Sequence, residues 1–240
     1  MTEAQRHGGT GARGHGRGAG AAARVALAVA LGLAPAALAA QAPDAGAVLD
    51  HAVAALTPVT TLRADFTQRI RDPMLGGDET TSGELLMRRP DKFVMRWENP
   101  RGDVILQDGQ ALWVYLPSTA PHQAVRTALT GAPGQSMDFV EEFLDHPRDR
   151  FTIGYVRADS VGPRPADVLS LVPRQGNASY QRVLIWVDRA DGLARRFEIS
   201  EGSGAVRRIT LDHLRVNVPI PTSNFVFKVP TGVRVIDGSE

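Results

Sequence analysis

Residue types that carry chemistry are sparse in this chain, and their spacing does not assemble a catalytic set. Beyond residue 39 there are four histidines, His51, His122, His146 and His213, and none stands in an HExxH pair or at any other zinc-ligand spacing. The 240 residues contain no cysteine, which excludes disulfides, thiolate metal sites and a Cys nucleophile. A GxSxG nucleophile elbow is absent. Glu141, Glu142 and Asp145 fall on or near the polar face of one predicted helix, where solvated charge accounts for them. Gly202-Ser203-Gly204 reads as a turn and not as a phosphate loop. These residues predict no enzymatic chemistry, no metal and no cofactor.

What the sequence does concentrate is large apolar side chains at strand spacing. From Gly83 to Pro117 four strand-like runs follow one another with turn signals between them. Phe93, Met95 and Trp97 alternate with Lys92, Val94 and Arg96, a period of two that predicts a half-buried antiparallel strand bounded by Pro90 and Pro100. Asp108-Gly109 lies between VILQ and QALWVY and predicts a two-residue type I′ hairpin turn.

The elements around this stretch follow the same logic. Asp44 can cap a helix in which Val48, Leu49, Ala52, Val53 and Leu56 recur at three- and four-residue spacing, and Pro58 stops it. Leu62, Ala64, Phe66 and Ile70 make a first strand, followed by a loop DPMLGGDET. After the break Gly131 to Gly134, Met137, Val140, Phe143 and Leu144 follow with helical spacing. Six short strands are expected from Phe151 onward, the last at Phe225 to Val229, with turns at Asp191-Gly192 and at Gly202 to Gly204. The sum is a mainly β fold with helices (α+β): about eleven or twelve strands in a strongly curved antiparallel sheet, an incomplete barrel. Two or three helices, 45–56 and 136–145 among them, cover its concave apolar face.

Residues 1–24 are Gly- and Arg-rich without apolar periodicity and are expected to stay unfolded. Val25 to Ala39 is too short for a membrane span and is interrupted by Pro35. With Ala37-Leu38-Ala39 at its end, it predicts a secretory signal over residues 1–39, one domain over 40–240 and a periplasmic location. Removing residues 1–39 takes away four arginines and one glutamate, so the net charge of +1 becomes −2. Nothing in that balance marks a nucleic-acid binder.

FTQRI at 66–70, the run GELLMRRPDKF, ILQDGQALWVYLP and the closing FVFKVPTGVRVI together resemble the LolA family, periplasmic carriers of outer-membrane lipoproteins. The resemblance covers roughly Leu49 to Asp237 and is most specific in the ordered spacing of Arg89-Pro90, Phe93, Pro100, Asp108-Gly109 and Leu112-Trp113-x-Tyr115. It implies an incomplete β-barrel closed by helices, acylated lipoproteins as cargo, an inner-membrane lipoprotein-releasing ABC transporter as donor, an outer-membrane acceptor, and a monomer. It also implies that Arg89, which alone would read as an exposed cation before Pro90, ties the lid helices to the barrel.

Acyl chains cannot cross water unless apolar surface receives them, at about 0.8 kcal/mol per buried CH₂. The expected cavity is therefore distributed: Phe66, Phe93, Met95, Trp97 and Ile105 on the sheet, and Met137, Val140, Phe143 and Leu144 on the lid. A related carrier or sensor of another envelope lipid or glycolipid is the alternative reading.

Overall fold

Alternating apolar residues become one twelve-stranded sheet in the computed structural model, which describes residues 43–74, 76–130, 138–175 and 180–238. In chain order its elements begin with α1 (Ala45–Leu56), β1 (Thr61–Asp72), β2 (Gly77–Arg88) and β3 (Lys92–Asn99). Next come β4 (Arg101–Asp108), β5 (Ala111–Tyr115), β6 (Gln123–Ala128), α2 (Phe139–Leu144) and α3 (Pro147–Arg150). The second half holds β7 (Phe151–Val161), β8 (Arg164–Pro173), β9 (Tyr180–Asp188), β10 (Ala194–Glu201), β11 (Val206–Val216) and β12 (Arg234–Asp237). The sheet order is β12-β6-β5-β4-β3-β2-β1-β11-β10-β9-β8-β7. β12 and β7 do not meet, so the barrel stays open. Every neighbouring pair is antiparallel except β12 with β6.

The main core lies on the concave face. It gathers Leu62, Ala64 and Phe66 of β1, Leu85 and Met87 of β2, Phe93 and Met95 of β3, and their counterparts on β8 to β11. α1 contributes Leu49, Ala52 and Leu56 from the face its spacing predicts, and Asp44 caps it by accepting from the Ala47 N–H at 3.1 Å. Asp188, almost fully buried on β9, fastens the far end of the sheet to the guanidinium groups of Arg164 and Arg195.

Several local expectations are corrected. β2 begins at Gly77, so most of the segment read as the DPMLGGDET loop is strand, its Asp78 paired with Arg69 and Arg71. The β4–β5 hairpin forms without a type I′ turn. Only Gly109 has positive φ (+94°), while Asp108 accepts from the Gln110 and Ala111 N–H groups, each at 2.8 Å, and from the Trp113 indole at 3.0 Å. Burial works against the Asp108 carboxylate, yet those three hydrogen bonds hold it below the usual carboxylate range. Phe225–Val229 is not a strand: a 3-10 turn at Thr222–Phe225 comes first, and pairing resumes at β12. This segment explains why Val94, expected on a solvated face, is buried. Leu86, Val94, Val104 and Leu106 on the convex face pack beneath Ile220 and Phe225. Residues 1–42 and 131–137, which hold the expected signal and the start of the expected second helix, lie outside the described residues.

Candidate functional site

Aromatic side chains of β3, β7, β9 and β10 meet those of the short helix α2 and join the two layers. Phe139 of α2 stands edge-on to Phe93 (6.1 Å between centroids) and Phe197 (4.9 Å), Phe143 stands edge-on to Tyr180 (5.3 Å), and Phe66 meets Trp97 at 5.3 Å. All four apolar residues of α2, Phe139, Val140, Phe143 and Leu144, are buried. At Gly83 the sheet tolerates no side chain, since a Cβ there would lie 1.9 Å from the Arg96 carbonyl oxygen. That bare position faces Trp97 across the β2–β3 pairing.

Beside this packed layer, at the strand ends away from Arg89, a cavity of 560 Å³ remains. Ile70, Met95, Trp97, Ile105, Phe139, Ile199 and Ile209 give it apolar walls, and Gln68, Thr81, Glu142 and Tyr180 add polar groups. The residues expected to form an acyl site divide in two. Met95, Trp97 and Ile105 line the cavity, whereas Phe66, Phe93, Val140, Phe143 and Leu144 sit in the packed core next to it. Met137 lies outside the described residues. Phe139, Ile199, Ile209 and Tyr180 were not singled out from the sequence. The period-two pattern Phe197-x-Ile199 and Ile209-x-Leu211 carried a signal for two of them.

Three arginines hold the helices. Arg89 Nη1 donates to the Leu56 and Thr57 carbonyls at the end of α1, at 3.3 and 3.4 Å, while its buried Nε has no hydrogen-bond partner among the described residues. Arg148 Nη2 donates to the Gly46 carbonyl at 3.2 Å and to Asp50 at 2.5 Å, at the other end of α1. Arg150 donates to the Glu142 carbonyl at 2.7 Å and pairs with its carboxylate, which also accepts from Tyr180 Oη at 3.0 Å. Glu142 is therefore no solvated charge, as the sequence suggested, but a largely buried one. Burial, and then the Glu142 charge, push the Tyr180 hydroxyl well above its usual range.

Asp138 caps α2, accepting from the Val140 and Glu141 N–H groups at 3.0 and 3.1 Å. Its complete burial pushes the carboxyl up to about 7, against the pull of those hydrogen bonds and of the nearby Arg89 charge. Glu141 is raised by burial as well. Among the described residues no group of three His, Asp or Glu side chains is placed to hold a metal ion. No described helix is long and apolar enough to cross a membrane.

The family described as outer membrane lipoprotein carrier protein LolA matches residues 57–228. The chain belongs to the LolA family. The LolA match runs from the end of α1 through β11 and the 3-10 turn, and so includes every wall of the cavity. A protein of Alkalilimnicola ehrlichii named outer-membrane lipoprotein carrier protein is 28% identical over 75% of this chain and 78% of its own length. One of the same name from Halorhodospira halophila is 30% identical over 75% of this chain and 80% of its own. An uncharacterized conserved protein from Thermus thermophilus shares the fold, with a TM-score of 0.52 over 80% of this chain and 98% of its own, at 13% identity.

Proposed function

We propose that this LolA-family chain is a periplasmic chaperone that shelters the acyl chains of lipoproteins and carries them from the inner to the outer membrane without making or breaking a bond. The observation that carries the reading is the 560 Å³ cavity between α2 and the concave face, walled by Met95, Trp97, Ile105 and Phe139. Residues 1–39 serve as its export signal, the mature chain works as a soluble monomer, an inner-membrane lipoprotein-releasing ABC transporter loads it and an outer-membrane acceptor unloads it. At about 30 Å³ per water-sized group, the cavity holds about 19 such groups, roughly one long acyl chain. A cargo with two or three chains therefore requires the helices to move outward, and Arg89, Arg148 and Arg150 are the bonds that such a movement breaks or strains. Opening is a shift between two states that cargo biases by binding one of them better.

Mass spectrometry of lipids that co-purify with the mature protein tests the reading. Diacyl or triacyl peptides are the expected finding. Free glycolipid in their place would replace the lipoprotein by another envelope lipid, and a lipid-free protein that also fails to bind a diacyl lipopeptide would end the carrier reading.

A further inference from the structure

One polar side chain in the cavity wall has hydrogens to give and, among the described residues, no good acceptor for them. Gln68 on β1 is 7% exposed and lines the cavity, opposite Thr81 of β2 and Ile209 of β11. Its one hydrogen bond among the described residues runs from Nε2 to Thr81 Oγ1 at 3.5 Å, beyond the range of a good N–H to O bond. Thr81 Oγ1 already accepts from the Trp97 indole at 3.1 Å. A primary amide carries two N–H hydrogens, so at least one of them has no acceptor among the described residues.

A second donor stands beside it. Arg207 of β11 pairs with Ile70, the next inward residue after Gln68 on β1, and so lies diagonally across from Gln68 on the same face. Its Nη2 pairs with Glu201 at 3.1 Å, while its buried Nε has no hydrogen-bond partner among the described residues. The Arg207 side chain is 39% exposed, so a small rotation of the guanidinium turns that N–H toward the lumen. Glu201 answers its positive charge, and what remains is N–H hydrogen without net charge. Acceptors occur in the same lining, but none of them bonds Gln68 among the described residues. Glu142, Asp103 and Glu201 receive Arg150, Ser118 and Arg207, and Glu79 is exposed.

Resting on the reading of this cavity as an acyl site, we propose that Gln68, with Arg207 beside it, receives the carbonyl oxygen through which an acyl chain is joined to its head, the uncharged oxygen of an ester or amide. The chain then runs from β1 across β2 and β3 to Ile105 on β4, three strand spacings or about 14 Å, with Met95 and Trp97 along the way. A neutral oxygen fits because the patch has no unanswered cation to offer an anion. A carbonyl buried here completes an amide that otherwise lacks a partner, and a chain without the carbonyl leaves it as it is. Gln68 thereby reads the linkage, which the apolar wall cannot do.

Two twelve-carbon ligands that differ in one group test this: monolauroylglycerol and 1-O-dodecylglycerol, whose chain carries CH₂ in place of the ester carbonyl. Each is used below its micelle concentration to displace the uncharged dye Nile red from the purified mature protein. A purely apolar wall favours the ether, since burying a carbonyl without a partner is costly. The expected result is the reverse, with the ester binding about fivefold more tightly. Gln68→Leu should abolish that preference or turn it toward the ether, and Arg207→Met should reduce it, neither weakening the ether. An infrared spectrum of the bound ester, labelled with carbon-13 at its carbonyl, needs no variant: the band should lie at lower frequency than in hydrocarbon solvent. An ester preference below twofold, or a bound band at the hydrocarbon position, overturns the proposal in the unsubstituted protein. So does a preference kept intact in Gln68→Leu. Failure of both ligands to displace the dye is a different result: it overturns the acyl-carrier reading itself.

Discussion

Replacing Arg89 by Leu separates the grip on α1 from the apolar cavity, because Arg89 touches the helix and does not line the cavity. Its Nη1 reaches two carbonyls, Leu56 O and Thr57 O, at 3.3 and 3.4 Å. Both are long, so together they amount to one charge-assisted bond, about 2 kcal/mol. The buried, unpartnered Nε works in the opposite direction, and its removal relieves about 1 kcal/mol. The net loss to the closed form is about 1 kcal/mol, which moves the closed-to-open ratio by about fivefold. Cargo held in the open form should then leave more slowly by a similar factor, while loading is little changed. The assay loads both proteins with one diacyl lipopeptide and follows its passage to acceptor vesicles. Hydrogen exchange at the Val59 amide, which donates to the same Leu56 carbonyl at 3.0 Å, reports the helix end directly. Equal transfer and equal exchange in the two proteins would show that Arg89 does not hold the lid.

Four further outcomes are expected. Met95→Glu places a carboxylate in the cavity wall at a cost of several kcal/mol, so lipopeptide loading, read by gel shift, should fall at least tenfold while circular dichroism stays unchanged. Asp138 has its folded carboxyl raised to about 7, so its stabilising contribution is complete below pH 4 and is lost as pH rises through 7. Urea unfolding of Asp138→Asn should therefore lose a slope on the order of 4 kcal/mol between pH 4 and pH 8, and a slope equal to that of the unsubstituted protein refutes the assignment. Gly83→Ala drives a Cβ into the Arg96 carbonyl and should cost about 1–3 kcal/mol and shift Trp97 fluorescence; an unperturbed emission maximum would contradict the close approach. Asp188→Ala leaves Arg164 and the largely buried Arg195 with Asp191 alone, and a urea titration should show a loss of about 3 kcal/mol.

The open sheet and its helical cover were legible because strand period, turn residues and caps agreed with one another over most of the chain. Phe93, Met95 and Trp97 turn inward as their alternation says, and Asp44 and Asp191-Gly192 stand where a cap and a turn require them. What stayed hidden depends on partners distant in sequence. Val94 looked half-solvated because nothing local announces that Ile220 and Phe225 lie over it. β6 and β12 escaped notice because one is weakly patterned and the other short, and their parallel pairing brings together residues such as Val125 and Ile236. Glu142 fits the polar face of an amphipathic helix, and only the fold reveals that Arg150 and Tyr180 draw it into the cavity wall. The split between core and cavity among the expected acyl residues is equally a matter of depth, which alternation does not encode.

The place of β1 between β2 and β11 also imposes an order in time. β1 finds its first neighbour within a few residues, but its second only when Val216 comes back to Leu62, 154 positions later in the chain. Loop closure over that distance is slow compared with hairpin formation. A chain emerging from its amino end can thus assemble the β1-to-β6 half early and the β7-to-β11 half late; the two join where β1 meets β11, and β12, last in the chain, returns to β6 at the opposite edge. Until β1 meets β11, the inward rings of the two halves lack each other's cover, and the cavity walls drawn from both halves stay apart.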